Sequence, residues 1–218
     1  MKILVLSDIH GAMEKVRAAS DLIAGADLVV IAGDITRKGG RGEAEELLGL
    51  VEARNRKILA VHGNMDRDEV RALLEERGYG VHGAGRVVGG TGFFGVGGSN
   101  ITPVHTRSEY DEETIMELLE KGYDTVRGAR EKVLVSHTPP KGICDRTFLF
   151  IRAGSVSVRD FLAAHDDVRL CLCGHIHEAA GWRFEGNACV ANAGAFKRGR
   201  YLEVDFGAGI TVRPGRLK

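Results

Sequence analysis

The sequence lacks the features that mark several classes of protein. Its 30 Lys and Arg residues are balanced by 30 Asp and Glu residues, so it carries no net charge. Dedicated nucleic-acid-binding proteins usually show a basic surface, so we expect no nucleic-acid partner. The longest apolar runs, such as residues 28–32, fall far short of the about 20 residues that span a membrane. The apolar start at residues 3–6 is too short for a signal peptide. We therefore expect a cytoplasmic protein without a membrane partner.

Cysteine is scarce, and its spacing does not indicate a metal site. The four cysteines, Cys144, Cys171, Cys173 and Cys189, lack the paired spacing of a zinc ribbon. Cys171 and Cys173 alternate along an apparent strand, so both should face the same side. We interpret the cysteines as small buried apolar residues.

What the sequence does have is a series of short apolar runs, each followed by polar residues. The runs are Lys2–Leu6, Ala26–Ala32, Lys57–Val61, Lys132–Val135 and Val168–Leu172. They are rich in Val, Ile and Leu without alternation, as is typical of strands buried on both faces of a sheet. Apolar residues spaced three and four apart predict helices over Met13–Ile23, Glu43–Ala53, Asp66–Arg77, Glu112–Val126 and Val158–Ala164. Alternation of strand and helix predicts an α/β fold.

The remaining segments predict antiparallel strands. Four short runs near the C-terminus, at residues 181–185, 188–191, 201–206 and 210–213, are joined by tight turns. A glycine-rich stretch at residues 81–98 predicts two hairpin strands, 86–88 and 91–96. We predict one domain over residues 1–218 with two sheets, and we expect Trp182 in its core.

The polar residues that follow the apolar runs predict a metal centre. Ligands of open α/β sheets bind outside the carboxyl ends of the strands. The candidate ligands at these ends are Asp8, His10, Asp34, Asn64, His137, His175 and His177. Carboxylates, imidazoles and an amide oxygen together suit Mn²⁺, Fe, Zn²⁺ or Ni²⁺ and are rich in nitrogen for Ca²⁺ or Mg²⁺ alone. Seven ligands predict two ions with one bridging carboxylate.

Each polar cluster alone is a weak signal. The pair Asp8 and His10, or Gly33 and Asp34, could form an ordinary turn, and Asp66 could cap the helix that follows it. The two histidines of Gly174-His175-Ile176-His177 could lie in a polar loop. All five clusters in order, each after an apolar strand, are far more specific.

These motifs resemble the calcineurin-like metallophosphoesterases. The matching segments are Asp8-Ile9-His10, Gly33-Asp34, Gly63-Asn64-Met65-Asp66, Ser136-His137 and Gly174-His175-Ile176-His177. The stretch from Ser136 to Pro140, with Gly142 and Asp145-Arg146 after it, is similar to the small bacterial and archaeal enzymes of the Icc-related subgroup. The resemblance implies a four-layer α/β/β/α sandwich with two mixed β-sheets.

The resemblance also implies a function and a set of ligands. One metal would be held by Asp8, His10, Asp34 and His177, and the second by Asp34, Asn64, His137 and His175. It implies two divalent ions, with Mn²⁺ favoured and Fe, Zn²⁺, Ni²⁺ or Mg²⁺ open, and hydrolysis of a phosphate ester by a bridging hydroxide. Asp34, Asn64 and His137 would be the catalytic residues, with Asn64 and Arg37 contacting a small phosphate-ester substrate.

One position departs from the family pattern. Many members carry a histidine, thought to protonate the leaving group, where this chain has Met65, which has no proton to give. We expect neither His62 nor His105 to replace that acid fully. A phosphodiester with a good leaving group needs little protonation, so phosphodiesters are the favoured substrates.

Other functions stay open at this point. The protein could be a phosphomonoesterase, including a protein phosphatase. It could also be a non-catalytic metal-binding scaffold, although all seven ligand positions are filled. The sequence does not predict an oligomeric state.

Overall fold

The computed structural model describes residues 1–37 and 40–217. In chain order, the strands of the described residues are β1 (Lys2–Leu6), β2 (Leu28–Ala32), β3 (Ile58–Val61), β4 (Gly85–Val88), β5 (Thr91–Val96), β6 (Ser99–Asn100), β7 (Glu109–Tyr110), β8 (Lys132–Ser136), β9 (Val168–Cys173), β10 (Gly181–Glu185), β11 (Ala188–Asn192), β12 (Arg200–Phe206) and β13 (Ile210–Arg216). The α-helices are α1 (Met13–Ala18), α2 (Ser20–Ala24), α3 (Arg41–Glu52), α4 (Asp68–Glu76), α5 (Glu112–Thr125) and α6 (Val156–Ala164).

Two large mixed sheets lie face to face. The first has the strand order β13-β12-β1-β2-β3, and the second has the order β10-β11-β9-β8-β5-β4. In the first sheet β1, β2 and β3 run parallel, while β12 pairs antiparallel with β1. In the second sheet β5, β8 and β9 run parallel, while β4 and β10 are antiparallel to their neighbours.

Three apolar cores hold four layers together. Ile3 and Val30 of the first sheet share a core with Val133 and Leu170 of the second, so the sheets pack directly on each other. A second core joins the outer face of the first sheet to helices α1 to α4. A third joins the outer face of the second sheet to α5 and α6. These layers confirm the predicted α/β/β/α sandwich. The single domain stays a prediction.

The predicted elements differ from the structure in a few places. The helix predicted over residues 13–23 is interrupted at Ala19, and the Ser20 hydroxyl donates to the Arg17 carbonyl, a bond that competes with the helix backbone. Strand β11, predicted as antiparallel, is antiparallel to β10 but parallel to β9. Trp182 is not in the core, because it lies on the edge strand β10 and is 46% exposed.

Other predictions are confirmed. Cys171 and Cys173 lie in the same apolar core and are fully buried, as is Cys189. Cys144 differs from the prediction, because it is only half-buried. The hairpin strands of the glycine-rich stretch pair antiparallel as β4 and β5. Within the described residues, no helix combines the length and apolar character needed to cross a membrane.

The sheets bring their strand ends together at one place. Asp8, after β1, donates its backbone N–H to Gly33, after β2. His137, after β8, donates its backbone N–H to Val96 of β5, and its carbonyl accepts from Gly174 after β9. The His137 ring also bonds the carbonyl of Ala32 of β2 at 2.7 Å, which links the two sheets. The ends of β1, β2, β5, β8 and β9 therefore meet at one site.

Candidate metal centre

The backbone is strained where the candidate ligands leave their strands. Asp8, His10, Asp34 and His175 all have positive φ, between 46° and 66°. Such values are uncommon in residues other than glycine, and they cluster at functional sites in folded proteins. Asp8, Asp34 and His175 each lie two residues after the end of a strand, which keeps their side chains close to that strand end.

One group of ligand atoms surrounds Asp8. Its Oδ1 lies 3.0 Å from His177 Nε2 and 4.0 Å from His10 Nε2. Its Oδ2 accepts from the Ser7 hydroxyl at 2.8 Å and from the His175 backbone N–H at 3.0 Å, so both oxygens are oriented. His10 Nε2 is buried without a hydrogen-bond partner. A buried polar atom without a partner is costly unless something else binds it.

A second group lies around Asp34 and His137. His137 Nε2 is 2.9 Å from Asn64 Oδ1 and 3.6 Å from Asp34 Oδ1. Asp34 Oδ2 lies 3.5 Å from His10 Nε2, so Asp34 stands between this group and the first. Its Oδ1 also accepts the Met65 backbone N–H at 2.8 Å.

A chain of hydrogen bonds fixes the orientation of the Asn64 amide. The Thr106 hydroxyl donates to Glu109 Oε1 at 2.6 Å, so its oxygen is free to accept from Asn64 Nδ2 at 2.9 Å. The amide oxygen of Asn64 therefore points toward His137. Burial opposes ionisation of Glu109, but hydrogen bonds from Thr102 and Thr106 outweigh it and lower its pKa to about 2.

Three acceptors converge in the second group, and they require a cation. The Ala32 carbonyl can only accept, so the Nδ1 of His137 carries the proton and Nε2 presents a lone pair. That lone pair faces the oxygens of Asn64 and Asp34. A proton on Nε2 or a divalent ion relieves the repulsion, so this donor set fits a metal.

The pKa shifts of the buried carboxylates and histidines agree with a site that holds a cation. Burial, together with the neighbouring carboxylates of Asp8 and Asp66, raises the pKa of Asp34 to about 7. Burial disfavours the charged His137 ring, but the carboxylates of Asp34 and Asp8 outweigh it and raise its pKa. Burial also lowers the pKa of His10 to about 4 and of His175 to about 3. His10 and His175 are thus held neutral, the form in which imidazole binds a metal.

The described residues contain two clusters of ligand atoms that could hold an ion. They are Asp8 with His10 and His177, and Asp8 with Asp34 and His137, each with all atoms within 4.8 Å of one another. Asn64 lies beside the second cluster, because its Oδ1 is 2.9 Å from His137 Nε2. His175 is less close, since its ring lies 5.1 Å from the His137 ring. The structure thus brings the predicted ligands together, and the assignment of each to one ion stays a prediction.

Asp66 has a different role from the predicted helix cap. Helix α4 begins at Asp68, and its N-cap residue is Arg67, without a side-chain cap bond. The buried Asp66 carboxylate instead accepts from the N–H groups of Ile35, Thr36 and Gly63 and from the Thr36 hydroxyl, at 2.7–3.0 Å. It ties the loop of Asp34 to the loop of Asn64. The motif Gly63-Asn64-Met65-Asp66 includes this residue, but an aspartate at that position also fits a helix N-cap.

Close backbone approach at the site requires glycine. A Cβ at Gly63 would overlap the backbone nitrogen and the carboxylate of Asp34. A Cβ at Gly174 would overlap the Ser7 hydroxyl, which bonds Asp8. These glycines let the strand ends pack closely enough for the ligands to meet.

The other predicted residues lie around the site. His62 is fully buried, and its ring contacts Tyr110 at 3.2 Å and packs on His82. His105 is exposed in a loop that also carries Arg107. Arg37 is exposed and stays a predicted substrate contact, while the neighbouring Lys38 and Gly39 lie outside the described residues.

Arg107 was not singled out from the sequence. Its guanidinium donates to the Met65 carbonyl at 2.9 Å, and its backbone N–H donates to the Asn64 carbonyl. Among the described residues it forms no ion pair with a carboxylate. No motif marks it in the sequence, because its place beside Met65 depends on how the loop of residues 101–108 folds back.

Comparisons with known proteins agree with this geometry. The family model for calcineurin-like phosphoesterases matches residues 1–179. The uncharacterized protein MJ1162 of Methanocaldococcus jannaschii is 35% identical over 197 residues, which are 88% of this chain and 87% of that protein.

Solved structures show the same fold at low identity. TT1561 of Thermus thermophilus has a TM-score of 0.74 at 18% identity, covering 99% of this chain and 98% of that one. A dimetal phosphatase from Danio rerio has a TM-score of 0.66 at 12% identity, covering 98% and 95%. The family match over residues 1–179 establishes that this chain belongs to the calcineurin-like phosphoesterases, a family of metal-dependent hydrolases of phosphate esters.

Proposed function

We propose that the protein hydrolyses small phosphodiesters with good leaving groups at a centre of two divalent metal ions. Asp8, His10, Asp34 and His177 would hold one ion, and Asp34, Asn64, His137 and His175 would hold the other. When bound, such ions activate water and neutralise charge on the phosphoryl oxygens. The observation that carries the proposal is the convergence of acceptor atoms around Asp34 and His137, with Met65 beside them.

The chain's own residues prepare the site. Asp34 belongs to the second cluster, and its Oδ2 lies 3.5 Å from His10 Nε2 of the first, so it would bridge the two ions. The Met65 N–H fixes its orientation. His137 is held in one tautomer by the Ala32 carbonyl, so Nε2 is the ligating atom. The bonds from Asn64 through Thr106 to Glu109 hold the amide oxygen on the metal side.

Arg107 lies beside Met65 but would not supply the missing acid. It places a guanidinium against the Met65 carbonyl, near the position where the family pattern has a histidine. Arginine stays charged at neutral pH and does not act as a proton donor to a leaving group. It would bind a phosphoryl oxygen electrostatically, and the leaving group would depart with little protonation.

The test is a comparison of two esters with the same leaving group. The protein is stripped with chelator, reloaded with Mn²⁺ and assayed on bis(nitrophenyl) phosphate and on nitrophenyl phosphate. We expect the diester to be turned over faster, and Asp34→Asn to abolish turnover of both.

The other outcomes have distinct meanings. Faster monoester turnover would replace the proposal by a phosphomonoesterase. Binding of metal without turnover of either ester would favour a scaffold. Failure to bind metal would contradict the proposed centre itself.

A further inference from the structure

Strand β10 is the edge of the second sheet and is unusually apolar for an exposed edge. Trp182 is 46% exposed and Phe184 is 51% exposed. Both face the same side of the sheet as their partners on β11, Ala191 and Cys189, which lie in the core between the sheets. Long, flat and apolar edges are rare in monomers because they pair with other chains.

The other sheet edges carry features that discourage pairing. Strand β13 contains Pro214, which lacks a backbone N–H. Strand β3 is covered by the following chain, since Ala60 bonds the Tyr79 carbonyl and accepts from Val81. Strand β4 has only four residues. Strand β10 has five residues and no proline or lysine, and among the described residues no loop backbone bonds to Trp182 or Phe184.

The backbone of β10 presents unpaired groups to solvent at defined positions. Gly186 and Asn187 form a two-residue turn that closes on the pair Glu185 and Ala188. The closing pair of such a hairpin is hydrogen-bonded, and hydrogen-bonded pairs alternate along the ladder. The N–H and C=O groups of Phe184 and Trp182 therefore point away from β11, toward the free edge.

The charges on β10 are self-complementary. Arg183 and Glu185 face the same side of the strand, opposite to the aromatic rings, and neither forms an ion pair among the described residues. If two copies pair antiparallel with Phe184 opposite Phe184, each Arg183 lies opposite a Glu185 of the second copy. The shift that centres on Arg183 instead would place two arginines together, which is unfavourable.

We propose that β10 pairs antiparallel with β10 of a second copy of this chain, around a two-fold axis at Phe184. In this register Phe184 exchanges both backbone hydrogen bonds with its copy. Each Arg183 meets a Glu185 in the non-hydrogen-bonded pairs, where side chains approach most closely. Beyond the end of the strand, Trp182 falls beside the turn residue Gly186, which has no side chain to obstruct the indole. The contact is isologous, as in most homodimers.

A nearby loop adds further exposed apolar side chains. Phe148, Leu149, Phe150 and Ile151 are each more than half exposed. Their loop is tied to the start of β10 and to the end of β11, because Cys144 Sγ contacts the Gly181 carbonyl and Asn192 Nδ2 bonds the Cys144 carbonyl. Six of the nine large apolar side chains exposed by the described residues thus belong to β10 or this loop.

Charge reversal with sedimentation velocity tests the dimer and its register. We expect the wild-type chain to form a dimer, and Arg183→Glu or Glu185→Arg alone to raise the dissociation constant about tenfold or more, since two pairs then repel. The double variant R183E/E185R should restore the dimer, and so should an equal mixture of the two single variants. Arg213→Glu, at an exposed arginine on β13, an edge strand of the first sheet, is the control and should leave the dimer unchanged.

Each other outcome overturns the proposal. A wild-type chain that stays monomeric from micromolar to near-millimolar concentration would exclude the dimer. Single variants that weaken it without rescue by the double variant would exclude this register. A monomer that co-sediments with anionic lipid vesicles, and loses this binding on Trp182→Ala, would make β10 and its loop a membrane-docking surface.

Discussion

Asp66→Asn is the sharpest test of how the two halves of the site are held. The buried carboxylate accepts four hydrogen bonds, two at each oxygen, from the loops that carry Asp34 and Asn64. An asparagine keeps one acceptor oxygen and turns an NH₂ group toward donors that the second oxygen served. Each buried donor left without a partner costs about 1–3 kcal/mol. We therefore expect the free energy of unfolding to fall by about 2–6 kcal/mol.

The assay separates this role from that of a helix cap. Asparagine and aspartate are nearly equivalent as N-caps, so a cap would make Asp66→Asn close to neutral. Urea unfolding of the chelated protein gives the stability, and Asp68→Asn is the matched control, because that exposed carboxylate makes only a 3.7 Å ion pair with Arg71. A loss at Asp66 no larger than that at Asp68 would refute the assignment of Asp66 as the residue that joins the two loops.

Four further results are expected at the site. Met65→His should raise turnover of a diester with an alkyl leaving group about tenfold or more and change turnover of a nitrophenyl diester little, because general acid catalysis matters most for poor leaving groups. An unchanged ratio of the two rates would show that the acid is supplied elsewhere. Thr106→Val should weaken Mn²⁺ binding about 10- to 100-fold in equilibrium dialysis, because the Asn64 amide loses the group that orients it. Thr106→Ser should retain most of the affinity, and equal Mn²⁺ affinities of the wild type and both variants would rule out the orienting role of Thr106. Arg107→Ala should raise the KM of the diester more than Arg107→Lys, which keeps the charge. Kinetics identical to those of the wild type in both variants would show that Arg107 does not contact the substrate. Mn²⁺ affinity should fall by up to about tenfold per pH unit as the pH drops below 7, because the pKa of Asp34 is raised to about 7 and its proton must leave before metal binds. An Mn²⁺ affinity that isothermal titration finds constant between pH 8 and pH 6 would contradict this.

The apolar runs predicted an α/β fold with two sheets and the grouping of the candidate ligands, because both depend on local patterns. The four-layer sandwich was implied by the resemblance to the calcineurin-like metallophosphoesterases. Strands buried on both faces appear as continuous apolar runs, and their carboxyl ends carry the polar residues that the sandwich brings together. The order Asp8, Asp34, Asn64, His137 and His175 along the chain therefore sufficed to predict one site.

What the sequence did not predict depends on contacts between distant segments. Asp66 satisfied the pattern of a helix cap, and only the fold shows its bonds to Ile35 and Thr36. Thr106 and Arg107 lie in a loop whose return to Asn64 leaves no periodic signal. Trp182 was expected in the core because large aromatic residues usually lie there, but β10 proved to be an edge strand.

The direct test of the metal-dependent phosphoesterase is a titration of the chelated protein with Mn²⁺, in which bound metal and diester turnover are followed in the same samples. We expect turnover to be absent without metal, to return as Mn²⁺ binds, and to reach its maximum when both ligand clusters are filled, while Asp34→Asn shows no return. Full turnover in the chelated protein, or bound Mn²⁺ that restores none, would contradict a catalytic metal centre at Asp34.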